Sequence, residues 1–174
     1  EDFADLSLFV DKLKTKITPD AIITNGAGNY TGWIQRYWQY SRAGAQLAPT
    51  SGAMGYGVPS GVAAGLIYPD KRVVSFSGDG CFLMNGQELA TAIQYGVKVL
   101  FVVVNNGMYG TIRLHQEKAY PARVYGTSLM NPDFVMLGKS YGLYAELITH
   151  NDQINDTLDR VLSKDVSSLI EVKV

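Results

Sequence analysis

A chain of 174 residues, 47% of them hydrophobic, has the size of one ordinary domain and enough apolar side chains for a full core. Its formal net charge of -1, with acids and bases scattered along the chain, offers neither the basic stripe that nucleic acid requires nor a polybasic membrane patch. A single cysteine, Cys81, excludes an internal disulfide, and the acidic start EDFADLSLFV is unlike the basic start of a signal peptide, so a reducing, cytoplasmic compartment is expected.

Taken in chain order, residues 3–17, FADLSLFVDKLKTKI, space apolar side chains three and four apart and predict an amphipathic helix. TPDAIITNG then reads as a turn into a short buried strand. WIQRYWQY, residues 33–40, reads as core or subunit interface. A glycine-rich helix is predicted from about Tyr56 to Tyr68, followed by strand RVVSFSG, helix NGQELATAIQYG and strand VKVLFVVVN. Arg113, Gln116 and Glu117 fall on a further helix, and EKAYPARVYGTSLM, residues 117–130, is a loop long enough to move or order on binding. Helix PDFVMLGKSYG, strand YAELI, helix DQINDTLDRVL and strand SLIEVKV complete the chain. The longest apolar run is far short of the ~18 residues that a membrane helix needs. Strands that alternate with helices and are continuously apolar belong in a parallel sheet covered on both faces, so the expected fold is α/β, a three-layer doubly wound sheet in one domain, residues 1–174.

In such a sheet, ligands sit beyond the carboxyl ends of the strands. Gly78-Asp79-Gly80 closes one strand, Asn105-Asn106 closes the next, and the 24 residues between them, 81–104, suffice for a turn, a helix and a returning strand. A carboxylate and an amide meeting at that edge suit Mg²⁺, which takes one or two carboxylates plus phosphate oxygens and water. The neutral amide avoids adding a second negative charge beside a diphosphate. Gly80 permits close backbone approach, and the N–H groups of Gly80 and Cys81, placed ahead of a helix, favour an anion. Asn105 reads as a turn residue. Taken alone, Asp79 reads as a helix cap and Met54 as a core residue.

The Gly-Asp-Gly, its spacing and the asparagine pair resemble the signature of thiamine diphosphate-dependent enzymes, specifically the acetolactate synthase, benzaldehyde lyase and 2-oxo acid decarboxylase group. The resemblance covers roughly residues 18–174. It implies that Asp79, Asn106 and the Met108 carbonyl ligate Mg²⁺, with Gly78, Gly80, Cys81, Tyr109 and Gly110 around the cofactor. TSGAMGYGVPSG, residues 50–61, resembles the segment that holds the aminopyrimidine. The implied roles are catalytic: the Gly52 carbonyl accepts a hydrogen bond from the exocyclic amine, and Met54 wedges the two rings into a bent cofactor, an unbranched side chain that fills the angle without strain. NGAGNYTGW, residues 25–33, resembles the loop on the other side of the diphosphate, implicating Gly28, Asn29 and Tyr30, although relatives carry Gln-His where this chain has Asn29-Tyr30.

The activity so implied is carboligation or decarboxylation of a small 2-oxo acid. In the resembling enzymes a glutamate of a separate pyrimidine-binding domain activates the cofactor, and none of the acids here replaces it. The chain is therefore expected to be the C-terminal domain of a longer polypeptide or one subunit of a split enzyme, working in a homo-oligomer, a dimer or tetramer. Two other readings stand beside it: a non-catalytic metal-diphosphate module, and a phosphoryl-transfer enzyme, against which counts the lack of Lys or Arg beside either ligand loop. His115 and His150 have no cysteine or nucleophilic serine in a suitable context, and no Walker or G-x-G-x-x-G loop occurs.

Overall fold

In the computed structural model, residues 3–174 are described. Six parallel strands form one sheet in the order β2-β1-β3-β4-β6-β5. They are β1 (Ile22–Asn25), β2 (Gln46–Leu47), β3 (Val73–Gly78), β4 (Val99–Asn105), β5 (Tyr144–Ile148) and β6 (Ser168–Lys173). The doubly wound α/β architecture read from the sequence is the observed one.

Helices α1 (Leu6–Lys16), α2 (Thr31–Tyr37) and α8 (Ile154–Leu162) belong to one face. Asp5 opens α1 by accepting from the Ser7 N–H at 2.8 Å, a side-chain cap on an otherwise orphaned donor. From α1, Phe9 meets Phe76 of β3 edge-on with ring centroids 6.4 Å apart, while Val74, Leu100, Val102 and Ile170 complete the same core layer. Helices α3 (Gly57–Ile67), α4 (Asp79–Asn85), α5 (Leu89–Gln94) and α7 (Phe134–Ser140) lie across the opposite face, where Val73, Phe101, Val103 and Leu169 form the second layer. Successive side chains of a strand point to opposite faces, which is why β3 and β4 supply both layers from one apolar run.

The approach of α3 is set by its glycines. A Cβ on Gly57 would lie 2.7 Å from Ser77 Oγ and 2.8 Å from the Phe76 carbonyl oxygen, and one on Gly61 would lie 2.9 Å from Ser75 Cβ. Small residues on both partners let the helix axis sit close to β1 and β3, which brings the segment ahead of α3 to the sheet edge.

WIQRYWQY meets its core reading in part: it is helical as far as Tyr37, in α2, and Ile34 and Trp38 are buried, while Trp33 stacks on Tyr37 at the surface. Two other local features differ from the sequence reading. The helix expected from Asn85 begins at Asp79 and is broken by a 3-10 turn at Gly86–Glu88 before α5 resumes. A Cβ at Gly86 would press on the Phe82 ring at 2.8 Å, so a glycine, a poor former of regular helix, stands where the axis turns. β2, two residues long, is too short to leave a periodic signal. Helix α6 (Gly110–Ala119), by contrast, occupies the place expected for Arg113, Gln116 and Glu117, and none of its residues is buried.

Candidate functional site

The strand order reverses beside β1: the chain moves from β1 outward to β2, then returns to place β3 on the other side. Such a switch point opens a crevice at the carboxyl edge. A cleft of about 240 Å³ lies there, lined by the loop after β1, the segment ahead of α3, the β3–α4 junction and the loop after β4. Gly28, Asn29, Tyr30, Gly52, Met54, Gly78, Asp79, Gly80, Cys81, Asn106, Met108, Tyr109 and Gly110 all line it, together with Ala27, Val104, Thr111 and Ile112. Residues as far apart in sequence as Ala27 and Ile112 thus share one cavity.

Register explains the meeting of Asp79 and the asparagines. Gly78 of β3 pairs with Val104 of β4, so Asp79 is level with Asn105, and Asn106 stands one residue further out. Asp79 is 2% exposed. Its Oδ1 accepts from the Gly80 N–H at 2.8 Å, and its Oδ2 from the Gly107 N–H at 2.8 Å and the Asn131 side-chain amide at 2.7 Å. Every one of these donors is neutral, and no Lys or Arg ion pair to Asp79 is present among the described residues. A buried carboxylate with no cation is costly unless a cation is part of the working state.

A carboxylate offers about four acceptor positions; three are taken here and one is left on Oδ1. Asn106 is exposed at the cleft, its Oδ1 accepting from the Met108 N–H at 3.1 Å, and the Met108 carbonyl accepts from the Gly110 N–H at 3.0 Å with its second lone pair available. No cluster of three or more His, Cys, Asp or Glu side chains forms among the described residues. One carboxylate, one amide and one carbonyl are hard oxygen donors too few to enclose a cation, so they fit Mg²⁺ that brings phosphate and water oxygens with it.

The glycines are explained differently from the expectation. Because α4 begins at Asp79, Gly80 lies inside its first turn, and its N–H is engaged by Asp79 Oδ1 rather than turned toward an anion. A Cβ at Gly80 would fall 2.4 Å from the Tyr109 ring, so the ring itself demands a glycine. Gly52 adopts φ +67, the left-handed region that favours glycine, and a Cβ there would meet nothing within 4 Å. Met54 is half-buried on the cleft wall and belongs to neither core layer, which removes the core reading of that side chain.

Cys81 is buried, its Sγ 3.3 Å from the Ala27 carbonyl oxygen and 3.4 Å from the Gly55 N–H. The Tyr30 hydroxyl points at the same sulfur from 3.7 Å, and burial holds the Tyr30 phenol protonated far above its ordinary range. Asn29 Oδ1 accepts from the Thr111 hydroxyl at 2.9 Å, joining two walls of the cleft. The long loop is anchored at its end: the Leu129 N–H donates to the Gly107 carbonyl and the Tyr109 N–H to the Thr127 carbonyl, both at 2.8 Å.

Asn105 and Asn131 carry more than the sequence reading gave them. Asn105 Oδ1 accepts from the Gly107 N–H at 3.1 Å and from Asn131 Nδ2 at 2.9 Å, while its Nδ2 donates to Glu171 Oε1 at 2.7 Å. Burial pushes the Glu171 carboxyl up. Asn131 has no sequence signal of its own: MNPDF carries only an N-cap signal for the following helix, which Asp133 provides by accepting from the Met136 N–H. His115 and His150 are exposed and do not line the cleft.

Residues 26–172 match the family described as thiamine pyrophosphate enzyme, C-terminal TPP binding domain, and the chain belongs to that family. Thiamine diphosphate is the family's cofactor and Mg²⁺ its usual companion. The acetolactate synthase large subunit of Parasynechococcus marenigrum (strain WH8102) is 34% identical over 160 residues, covering 91% of this chain and 26% of the relative. The isozyme 2 large subunit of Escherichia coli (strain K12) is 31% identical over 169 residues, covering 96% of this chain and 31% of that one. Among solved structures, the thiamine diphosphate-dependent 4-hydroxybenzoylformate decarboxylase of Rhodococcus jostii RHA1 superposes with a TM-score of 0.92 at 26% identity, covering the whole of this chain and 33% of the other. The chain thus spans about a quarter to a third of these relatives. No helix among the described residues is long and apolar enough to cross a membrane.

Proposed function

We propose that this chain is the Mg²⁺- and diphosphate-binding domain of a thiamine diphosphate-dependent carboligase or decarboxylase of the acetolactate synthase kind, acting on 2-oxo acids. The observation that carries the proposal is the buried Asp79 carboxylate, held by neutral donors and standing level with Asn105 and one residue short of Asn106, on the wall of a switch-point cleft. In this reading Asp79, Asn106 and the Met108 carbonyl hold Mg²⁺, the loops at Gly28–Tyr30 and Gly78–Cys81 with Tyr109 and Gly110 surround the diphosphate, and Gly52 and Met54 orient the rings. When bound, thiamine diphosphate would supply a nucleophilic thiazolium carbon and a ring that takes up the electron pair released when a 2-oxo acid loses carbon dioxide. The chain's own part is to hold the cation that neutralises the diphosphate charge, fix the position of the cofactor and shape the rings for attack.

A pyrimidine-binding domain outside these residues supplies the activating glutamate, from the same polypeptide or a partner subunit in a homo-oligomer. Glu88, Glu117 and Asp133 do not line the cleft and are engaged elsewhere: Glu88 accepts from Thr91, Glu117 pairs with Arg113, and Asp133 caps α7. Calorimetric titration with thiamine diphosphate and with ATP, each with Mg²⁺, tests the proposal. Metal-dependent binding of thiamine diphosphate but not ATP is expected; the reverse preference, or none, would refute it.

A further inference from the structure

Asn131 lies outside the cleft, on the loop between α6 and α7, yet it touches the carboxylate on which the site is built. Both protons of its amide are directed: one to Asp79 Oδ2 at 2.7 Å, the other to Asn105 Oδ1 at 2.9 Å. The orientation of the amide follows from its neighbours. Asp79 can only accept, and Asn105 must present its oxygen to Asn131 because its nitrogen is committed to Glu171 Oε1 at 2.7 Å. Glu171 is 4% exposed and fixed on the sheet, where it pairs with Val103 and Leu147. A relay of oriented groups therefore runs from the sheet interior through Asn105 and Asn131 to Asp79.

We infer that Asn131 is a positioning residue for the cation site, selecting the rotation of the Asp79 carboxylate that suits Mg²⁺. This rests on the function proposed above. The terminal torsion of an aspartate is soft and broad, so burial alone does not fix the plane of its oxygens. Gly107 and Asn131 together pin Oδ2 from two directions, which leaves the unclaimed acceptor position on Oδ1. With Asn131 removed, one backbone donor remains on each oxygen, the Gly80 N–H on Oδ1 and the Gly107 N–H on Oδ2, and the plane of the carboxylate is held less firmly. The donor is also neutral: a Lys or Arg there would hold the same oxygen but would repel the cation. Asn131 further braces the loop carrying Asn106, since Asn105 Oδ1 receives both Asn131 and the Gly107 N–H.

A cation that demands near-ideal octahedral geometry suffers more from a turned carboxylate than one that accepts irregular coordination. Mg²⁺ is of the first kind and Ca²⁺ of the second. The experiment measures the apparent affinity of the full protein for Mg²⁺ and for Ca²⁺ at saturating thiamine diphosphate, in wild type, Asn131→Ala and the volume-preserving Asn131→Leu, with thermal midpoints of the cofactor-free proteins alongside. Expected is a loss of about 10- to 100-fold for Mg²⁺ and of about threefold or less for Ca²⁺, with a cofactor-free midpoint close to wild type in at least one variant. Equal losses for the two metals, unchanged Mg²⁺ affinity, or failure of both variants to fold without cofactor would overturn the inference and leave Asn131 a loop brace. Absence of any metal-dependent cofactor binding by the wild type would instead refute the reading of the site itself.

Discussion

The Asn85 side-chain amide donates to the Gly55 carbonyl oxygen at 3.0 Å, tying the segment that bears Met54 to the helix that starts at Asp79. The parts of the cleft that the proposed function assigns to the rings and to the metal are thereby fixed to one another. Met54→Ala should accordingly leave the dissociation constant for Mg²⁺ and thiamine diphosphate within about threefold while lowering kcat of the assembled enzyme by about tenfold or more. Parallel losses in affinity and turnover would reduce Met54 to a packing residue.

The metal assignment is tested by ligand-induced stabilisation. A ligand that binds only the folded form adds about 2.7 kcal/mol at 100 times its dissociation constant. Wild type should show that rise in thermal stability with Mg²⁺ plus thiamine diphosphate, and Asp79→Ala and Asn106→Ala should lose it. Retention of the full shift in either variant would remove that residue from the metal site.

Gly57→Ala probes the close seating of α3. The new methyl would meet the Phe76 carbonyl oxygen at 2.8 Å and the Gly26 nitrogen at 3.0 Å, and backbone atoms cannot step aside as a flexible side-chain end can. A loss of about 1–3 kcal/mol is expected from denaturant unfolding. A neutral result would mean that α3 stands further from the sheet than its glycines indicate.

Acid sensitivity should have an identifiable contributor at Glu146. Hydrogen bonds from Arg160, one at 2.9 Å from its Nε, hold the Glu146 carboxyl below the ordinary carboxylate range. Because the folded pKa is depressed, the stabilisation is full above the unfolded value of about 4.3 and drains away as pH falls through the folded value. Arg160 is half exposed, so solvent screening limits the pair to about 0.5–1 kcal/mol. Glu146→Gln should be less stable than wild type by that amount at pH 7 and indistinguishable from it near pH 3; a pH-independent difference would assign the loss to packing.

Exchange of the thiazolium proton into deuterated buffer reports pyrimidine activation without any substrate. The 174-residue chain alone, loaded with Mg²⁺ and thiamine diphosphate, should exchange no faster than free cofactor. Fast exchange would place an activating acid within these residues.

How much of this was legible in the sequence depends on how local the determining interaction is. YAELI is a strand at the boundaries read from it, and RVVSFSG and VKVLFVVVN differ from β3 and β4 by one or two residues at their starts. Each is an apolar run bounded by turn residues, a signal contained within the segment. The early start of α4 was hidden because Asp79 and Gly80 look like turn chemistry; Asp79 starts the helix while turning its carboxylate back on the Gly80 N–H. Gly80 illustrates a different blindness: its reason is Tyr109, 29 positions away, and no periodicity connects them. The same holds for Asn131, whose partners at positions 79 and 105 come within reach only when β3 and β4 are paired and the long loop is anchored.

The sheet order bears on how the molecule is made. β4, which ends at Asn105, is flanked by β3 on one side and on the other by β6, whose residues leave the ribosome almost 70 positions later. Asn105 is opposite Lys173 in that pairing, and its carbonyl oxygen receives the Val174 N–H at 3.1 Å. During synthesis a nascent chain can bring Asp79 beside Asn106 early, yet one whole edge of β4 and the Glu171 anchor for Asn105 are still to come. Asn105 therefore gains its Glu171 anchor only once β6 has emerged, and until then β4 displays an open strand edge, a template for pairing with another chain.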